Sequence, residues 1–214
     1  MRILVDSNKP AEITELKELG IIDGVYTNRT LMAKAKQDFA TTIKEICETI
    51  SGPVFAQIIG TTSVEMVEEG EAMSSWAKNI VVNIPMCREG LKAIDILAEK
   101  GVETAVSYIF NPNQALLAAA AGATYICPNI GGLDNLSADG LDVLTDISEI
   151  FGFQGLGTEV VATDIRHPGH VFEAARSGAD VIAVPVNILN GIIDHPLSKA
   201  GIAENMADWR KTQF

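Results

Sequence analysis

The sequence predicts an α/β protein with the (β/α)8 TIM barrel fold and an additional C-terminal helix, and three observations lead to this fold class. Eight short runs rich in β-branched residues recur along the chain. Each is too continuously apolar for a strand with one face in water, which suits a parallel sheet covered by helices. Segments with helical periodicity separate these runs, and several of them end in glycine, as helix C-caps do. Strand and helix signals that alternate eight times are typical of this barrel.

The eight predicted strands follow one another from the first residues onward. They comprise residues 2–7 (RILVDS), 24–28 (GVYTN), 54–60 (VFAQIIG), 80–85 (IVVNIP), 102–108 (VETAVSY), 124–129 (TYICPN), 158–165 (TEVVATDI) and 180–187 (DVIAVPVN). The helical segments between them include PAEITELKEL, SVEMVEEGEAMSSWA, REGLKAIDILAEKG, NPNQALLAAAAG and HPGHVFEAARSG. A doubly wound open sheet is the alternative. That fold favours a glycine-rich turn after its first strand, and the segment VDSNKPAE contains no glycine.

The chain divides into a barrel, residues 1–196, and a tail, residues 197–214. The tail reads as an amphipathic helix, because Ile202, Met206 and Trp209 fall on one helical stripe. Such a stripe needs an apolar surface to cover it. The tail therefore either caps the base of its own barrel or reaches a neighbouring subunit.

Composition narrows the class of protein. The 214 residues carry a formal net charge of -12, which argues against a nucleic-acid or anionic-membrane partner, since no basic patch is available to collect phosphates. The three cysteines lack metal-type spacing, and a sparse, odd number fits a reducing cytoplasm. No apolar stretch reaches the roughly 18 residues of a membrane helix, and the opening MRILVDSNKP lacks a signal-peptide layout. We expect a cytoplasmic protein.

Each predicted strand carries a polar residue near its C-terminal end, where barrels of this class gather their catalytic groups. Turn formers and helix N-caps are the plain alternative, because Asp, Asn and Ser are favoured at both. Gln57 and Asn83 fit that alternative poorly, since more apolar residues follow each of them before the next helix. A buried amide without partners costs roughly 1–3 kcal/mol, so we expect both in a hydrogen-bonded network or a ligand site. The full ring consists of Asp6, Asn28, Gln57, Asn83, Ser107, Asn129, Asp164 and Asn187.

The lysines stand apart from this ring. All ten fall on predicted helices or loops, and none lies within a strand where it would point into the barrel. Lys78 flanks the fourth strand at its entry, on the opposite side from the mouth. Lys9 is the one lysine near the mouth, and we expect it to be a solvated loop residue. A Schiff base needs an amine that is desolvated enough to be neutral near pH 7, and the sequence offers no such amine.

A family resemblance runs through seven segments of the chain. In order, they are VDSN, GVYTN, FAQIIGTT, NIVVNIPMCREGLKAIDIL, QALLAAAAGATYICP, ADVIAVPVNILNGIIDHP and MADW. Together they resemble the small transaldolase-like family, the branch that contains transaldolase and fructose-6-phosphate aldolase. The resemblance covers nearly the whole chain. It implies a lyase or transferase of carbohydrate metabolism and a homo-oligomer of five or ten subunits, in which the C-terminal helix packs across a neighbour.

The resemblance also implies a set of catalytic positions. The family forms a Schiff base between a sugar ketone and a lysine of the fourth strand, and that position is occupied here by Asn83. An amide nitrogen is not basic and forms no iminium, so the electron sink for C–C cleavage is absent. By resemblance, Asp6 handles protons at the substrate hydroxyls, Asn28 is the strand-two asparagine, Gln57 helps to hold a catalytic water, and Ser107 supplies the strand-five hydroxyl.

The substrate-binding positions that the resemblance implies depart from the family pattern. Arg29 replaces the usual proline, and Asn129 stands where an aromatic hydroxyl is expected. Gly132 replaces a phosphate-binding arginine, while Asp164 and Arg166 stand where a small hydroxyl and a basic residue are expected. Of the phosphate clamp only Arg166 remains, beside a carboxylate that repels phosphate. We therefore expect phosphorylated substrates to be disfavoured.

Other chemistry is open at the exit of the seventh strand, DIRHPGH. Asp164, His167 and His170 follow at three-residue spacing, and a carboxylate with two imidazoles can bind a divalent metal that polarises a carbonyl. The alternative is a helix that begins near Pro168 and carries exposed histidines. Cys87 is a candidate thiolate near His167, or simply a free cysteine in a loop. We expect no cofactor other than such a metal.

Three functional hypotheses follow. The first is a transaldolase-like enzyme that acts on a small polyhydroxylated carbonyl compound without a Schiff base. The second is a metal- or acid/base-dependent lyase or isomerase that uses Asp6, Asp164 and His167, in which amide donors stabilise a developing enolate. The third is a homologue that binds a sugar without turnover.

Overall fold

A computed structural model describes residues 1–212, apart from the side chains of Thr30 and Leu31. Eight parallel strands pair in chain order, and the last pairs with the first, so the sheet closes. The predicted (β/α)8 TIM barrel is confirmed. The strands are β1 (Arg2–Asp6), β2 (Gly24–Tyr26), β3 (Val54–Gln57), β4 (Ile80–Pro85), β5 (Thr104–Ile109), β6 (Tyr125–Pro128), β7 (Glu159–Ala162) and β8 (Val181–Pro185).

Helices surround the barrel and a last helix follows it. In the described part of the chain they are α1 (Pro10–Glu18), α2 (Arg29–Lys34), α3 (Phe39–Thr49), α4 (Ser63–Ser74), α5 (Arg88–Glu99), α6 (Pro112–Ala120), α7 (Ile130–Asp134), α8 (Gly140–Gln154), α9 (Pro168–Arg176), α10 (Val186–Ile193) and α11 (Pro196–Thr212). The expected C-terminal helix is thus present, and its predicted residues 213 and 214 lie outside the described residues.

Several strands end earlier than the sequence predicts. The third was expected to reach residue 60 but ends at Gln57, and the seventh was expected to reach residue 165 but ends at Ala162. The apolar residues beyond these ends are buried by packing rather than by sheet pairing, as with Ile58 and Ile165. A continuous apolar run therefore overestimates strand length at the mouth of the barrel.

Alternation along the strands separates two apolar layers. In β4, Ile80, Val82 and Ile84 pack outward among the helices, while Val81 faces the barrel interior with Leu4, Phe55, Tyr125 and Val161. Because side chains alternate along a strand, Asn83 follows Val81 on the interior face. This alternation places the Asn83 side chain in the barrel interior rather than in the layer of helices.

The tail helix α11 stands away from this core. None of its described residues is buried, and its stripe residues Ile202, Met206 and Trp209 are 61%, 52% and 66% exposed. The tail therefore does not cap the base of its own barrel. In the portion that the structure describes, no helix combines the length and apolar character needed to cross a membrane.

Candidate active site

A cavity of about 250 Å³ opens at the C-terminal ends of the strands. Its volume lies just below the roughly 300–1,000 Å³ of drug-sized ligand pockets, so it suits a small molecule. Every lining side chain carries a polar group, and six of the eight predicted ring residues meet there. The lining residues are Asp6, Tyr26, Thr27, Asn28, Gln57, Ser107, Tyr108, Asn129, Thr163 and Asp164.

Asp6 ends β1 and supplies the titratable group of this cavity. Burial, reinforced by the negative charge of Asp164, raises the pKa of Asp6 to about 6. A carboxyl group with this pKa exchanges its proton near neutral pH, which suits a general base. The raised pKa is compatible with the proton-handling role that the family resemblance implies for Asp6, and that role stays a prediction.

Asn83 lies beside the cavity and contacts Tyr26. Its side chain is buried, with 1% exposure, and its Nδ2 donates a hydrogen bond to Tyr26 Oη at 3.0 Å. Among the described residues nothing donates a hydrogen bond to its Oδ1, which is also buried. Burial raises the pKa of Tyr26 well above its usual value, so the phenol keeps its hydrogen. Asn83 is therefore linked to the cavity by its hydrogen bond to Tyr26, which lines it.

Gln57 and Tyr108 meet across the mouth. The Nε2 of Gln57 donates to Tyr108 Oη at 3.4 Å. Tyr108 has a left-handed backbone conformation with φ of 62°, and the pairing of β5 with β6 shifts register between Val106 and Ile109. Such an irregularity re-aims side chains, which explains why Tyr108 lines the cavity although it directly follows the inward-facing Ser107.

Hydrogen bonds to neighbouring segments hold the remaining site residues in place. Asn8 accepts from the Asn28 backbone N–H at 2.9 Å and donates to the Asn28 carbonyl at 3.0 Å. Ser107 Oγ donates to the Ile84 carbonyl at 3.4 Å. Asn129 Oδ1 accepts from the Gly132 N–H at 2.7 Å, so this side chain caps α7 as well as lining the cavity. The capping alternative weighed for the strand-end residues therefore holds in part for Asn129.

Asp164 and Arg166 form an ion pair at the rim. Arg166 Nη2 lies 2.8 Å from Asp164 Oδ2, and Arg166 also donates to Asn135. Gly131 allows this approach, because a Cβ there would meet Arg166 Nε at 2.3 Å. Asp164 lines the cavity and Arg166 does not. In the part of the chain that the structure describes, two carboxylates and no basic side chain line this site.

Arg29 is placed outside the cavity. It pairs with Glu69, donates to the Gln57 carbonyl at 3.0 Å and lies over the ring of Phe39 at 4.0 Å. Glu69 in turn accepts from the backbone N–H groups of Ile59 and Gly60. Arg29 therefore holds the loop after β3, and the structure does not bring it to the cavity that Asn129 and Asp164 line.

The residues of the hypothetical metal site have other partners. His167 caps α9 by accepting from the backbone N–H of His170 at 3.3 Å. His170 is buried, lies 3.2 Å from Asp134 and accepts from the Arg166 N–H. Burial and the neighbouring His167 lower the pKa of His170. Among residues 1–212, no group of three or more His, Cys, Asp or Glu side chains is arranged to hold a metal ion. Cys87, the candidate thiolate, caps α5.

None of the ten lysines, all of which lie in the described part, lines the cavity at the mouth. Lys9 lines a second cavity of about 570 Å³, next to Asp6 and together with Asn187 of the predicted ring. Its ammonium group pairs with Glu12 at 2.7 Å, and its side chain is 69% exposed. Lys9 is therefore the solvated loop residue that the sequence predicts.

Sequence reasoning missed four residues of the cavity. Thr27 and Thr163 fix neighbouring strands, since their hydroxyls donate to the carbonyls of Phe55 and Pro128 at 2.7 and 2.8 Å. Tyr26 could have been found from alternation, because it pairs in register with Asp6. No signal in the sequence marks Tyr108, whose placement depends on the irregular pairing of β5.

Comparisons with known proteins agree with the barrel fold and show the family of this chain. A family model described as Transaldolase/Fructose-6-phosphate aldolase matches residues 3–214. Proteins named "Probable transaldolase" from Moorella thermoacetica and Clostridioides difficile are 46% and 45% identical to this chain. The match covers 100% of this chain and 99% of the first protein, and 98% and 97% respectively for the second.

Two solved structures resemble the fold at 16% sequence identity. Inosine 5' monophosphate dehydrogenase from Legionella pneumophila has a TM-score of 0.62, with 88% of this chain and 58% of that chain covered. Thiamine phosphate pyrophosphorylase from Pyrococcus furiosus has a TM-score of 0.58, with 86% and 84% covered. At this identity the likeness concerns the fold alone.

Proposed function

Because this chain belongs to the transaldolase/fructose-6-phosphate aldolase family, we propose that it acts on a small polyhydroxylated carbonyl compound, and that it does so without a Schiff base. One observation carries the second part. The family resemblance places a lysine where this chain has Asn83, and within the described residues no lysine lines the cavity. An amide nitrogen has no basic lone pair, so it cannot attack a carbonyl to form an iminium.

Without a Schiff base, this site can act by acid/base catalysis. Asp6, with its pKa near 6, can take a proton from the carbon next to a carbonyl. The amides and hydroxyls around it can donate hydrogen bonds to the oxygen on which negative charge develops. Donors of this kind are worth roughly 3–4 kcal/mol of transition-state stabilisation each. Enolisation of a ketose or hydroxyketone is the reaction that these groups support.

The charges around the cavity favour an unphosphorylated substrate. Asp6 and Asp164 line it, and Arg166 is already paired with Asp164 at 2.8 Å. A phosphate would therefore meet two carboxylates near pH 7 and only one cation, whose charge is largely compensated. Neutral hydroxyl and carbonyl groups match the amide and hydroxyl lining better.

We further propose that the protein is a cytoplasmic homo-oligomer. The apolar stripe of α11 supports the oligomer, because Ile202, Met206 and Trp209 are exposed in a single chain. The three cysteines, all of them free, support a reducing compartment.

Deuterium exchange tests the function directly. The purified protein in D2O is mixed with dihydroxyacetone, and loss of the methylene signal is followed by ¹H NMR, with Asp6→Asn as the matched inactive variant. We expect exchange with the wild type that is at least 100-fold slower with Asp6→Asn, as loss of a general base predicts. Thermal shift by dihydroxyacetone without exchange indicates the sugar-binding alternative, and the absence of both contradicts the proposal.

A further inference from the structure

We propose that Tyr26 is a catalytic hydrogen-bond donor of this site, and that Asn83 is a positioning residue that turns the phenolic hydrogen of Tyr26 toward the substrate. This inference rests on the proposed enolisation chemistry. It gives Asn83 a role that differs from that of a lost lysine, and it assigns a function to a tyrosine that the family resemblance does not mark.

The barrel places Tyr26 next to the proposed base. Tyr26 ends β2 and pairs in register with Asp6 at the end of β1, so both side chains enter the same cavity. Its ring packs on Phe55, with ring centroids 5.6 Å apart. A ring held in this way has little freedom, so its hydroxyl group occupies a defined place, at 3.0 Å from Asn83 Nδ2.

The hydrogen bond from Asn83 fixes where the phenolic hydrogen can point. A tyrosine hydroxyl carries one hydrogen and accepts through its oxygen. Because Asn83 Nδ2 donates to that oxygen at 3.0 Å, the phenolic hydrogen must point away from Asn83. Within the described residues no atom accepts it, so it is available to a ligand in the cavity.

The opposite orientation of the amide is less favourable. It would let Asn83 accept from Tyr26, but the two N–H donors of the buried amide would then lack partners. The observed arrangement leaves one N–H and the carbonyl oxygen Oδ1 unpaired instead of two N–H groups. Unpaired buried carbonyls are tolerated better than unpaired N–H groups, so the geometry favours Asn83 as the donor.

These groups complete the enolisation step without any further reactant. The Asp6 carboxylate takes a proton from the carbon next to the carbonyl, and the electrons of that C–H bond form a C=C bond. The carbonyl π electrons move to oxygen, and Tyr26 donates its hydrogen bond to that oxygen. The phenol keeps its hydrogen, because burial holds its pKa well above the usual value. Return of a proton or deuteron from Asp6 to carbon reverses the step.

A residue kept only for packing would not have these features. A leucine has the same branched arrangement of side-chain heavy atoms as Asn83 and has no polar atom to leave unpaired. The chain instead keeps a buried amide with an unpaired oxygen, which costs stability. Costs of this kind are typical of functional sites.

The test uses Tyr26→Phe, which keeps the ring and removes the hydroxyl. In the dihydroxyacetone exchange assay we expect kcat to fall about 100- to 1,000-fold, as for loss of one oxyanion donor, with little change in KM. Tyr125→Phe is the matched control. Tyr125 is also in the barrel interior, where its ring centroid lies 5.0 Å from that of Phe55, but it faces Arg2 at the other end of the barrel. We expect wild-type exchange from this control.

Asn83→Leu tests the positioning role. We expect a decrease in kcat of about tenfold or more, and no further loss of exchange when Asn83→Leu is added to Tyr26→Phe. If Asn83 serves only to pack the barrel interior, the variant that remains folded exchanges at the wild-type rate.

The outcomes separate the inference from the proposed function. Exchange by the wild type and equal exchange by Tyr26→Phe would overturn the role of Tyr26 and leave the proposed function standing. A further loss of exchange on adding Asn83→Leu to Tyr26→Phe would overturn the positioning role of Asn83. If the wild type exchanges no protons of dihydroxyacetone, the proposed function fails and this inference fails with it.

Discussion

Asp6 combines burial with a position opposite a second carboxylate, and this combination has a cost for the folded state. Its pKa rises from 3.8 to about 6 on folding, so the folded protein binds a proton that the unfolded chain releases between these values. Stability decreases with pH wherever the folded state binds more protons. The contribution of Asp6 therefore falls between about pH 4 and pH 6 and stays low above pH 6.

Asp6→Asn should remove this pH dependence. A shift of about two pKa units corresponds to roughly 3 kcal/mol, so we expect the variant to be more stable than the wild type by about 2–3 kcal/mol at pH 7.5 and by little at pH 4. Urea denaturation of both proteins across this pH range measures the difference. A difference that does not grow with pH would contradict the raised pKa of Asp6.

The individual site residues show what sequence can and cannot predict. Asp6, Gln57 and Asp164 were found because polar residues at the ends of parallel strands converge in a barrel. Arg29 was expected at the substrate, yet it is held by Glu69 on α4. That ion pair joins residues 40 positions apart, and no local sequence pattern predicts such a partner.

Helix α4 positions the exit of β3 through this same carboxylate. Glu69 accepts hydrogen bonds from Ile59 and Gly60 and pairs with Arg29, and both side chains of the pair are less than one quarter exposed. The N-terminus of α4 is itself fixed by a capping box between Thr62 and Glu65. The loop that follows Gln57 is thus anchored to a helix with a defined start.

Glu69→Ala should therefore cost more than removal of an exposed ion pair. It leaves two backbone N–H groups without their acceptor and a partly buried guanidinium without its counter-ion, so we expect a loss of about 2–3 kcal/mol. Glu173→Ala, which breaks the exposed pair with Arg176, is the control and should cost at most about 1 kcal/mol. Equal losses in chemical denaturation would show that Glu69 does not anchor the loop.

Element order was easier to predict than element ends. Eight alternations of apolar runs and helical periods leave few topologies, and a closed parallel barrel satisfies them without an exposed edge. The ends of β3 and β7 were placed too late because apolar residues such as Ile58 continue to be buried after sheet pairing stops. The irregularity in β5 was not predicted, since tyrosine is not a residue that usually marks a positive φ.

The tail helix is the part of the molecule that bears on assembly. The helix α11 carries Ile202, Met206 and Trp209 on one stripe, and none of its described residues is buried. A stripe of this size in water favours association. The amphipathic pattern was readable from sequence, whereas the number of subunits depends on angles between chains that one chain does not contain.

Charge on this stripe should dissociate the oligomer. We expect Ile202→Glu combined with Trp209→Glu to reduce the mass measured by light scattering after size exclusion to that of a monomer. Glu204→Gln, on the opposite face of α11, is the control and should leave the mass unchanged. A wild-type protein that is already monomeric would contradict the proposed role of the tail.

The absence of covalent chemistry is the claim on which the functional account depends. It is tested by incubating the wild-type protein with dihydroxyacetone or fructose 6-phosphate, reducing with borohydride and measuring the intact mass. We expect an unchanged mass, because in the described residues the mouth cavity has no lysine and Lys9 is an exposed, paired ammonium group. A stable adduct with the mass of the reduced substrate would show that an amine of this chain forms a Schiff base, and the proposed function would then be wrong.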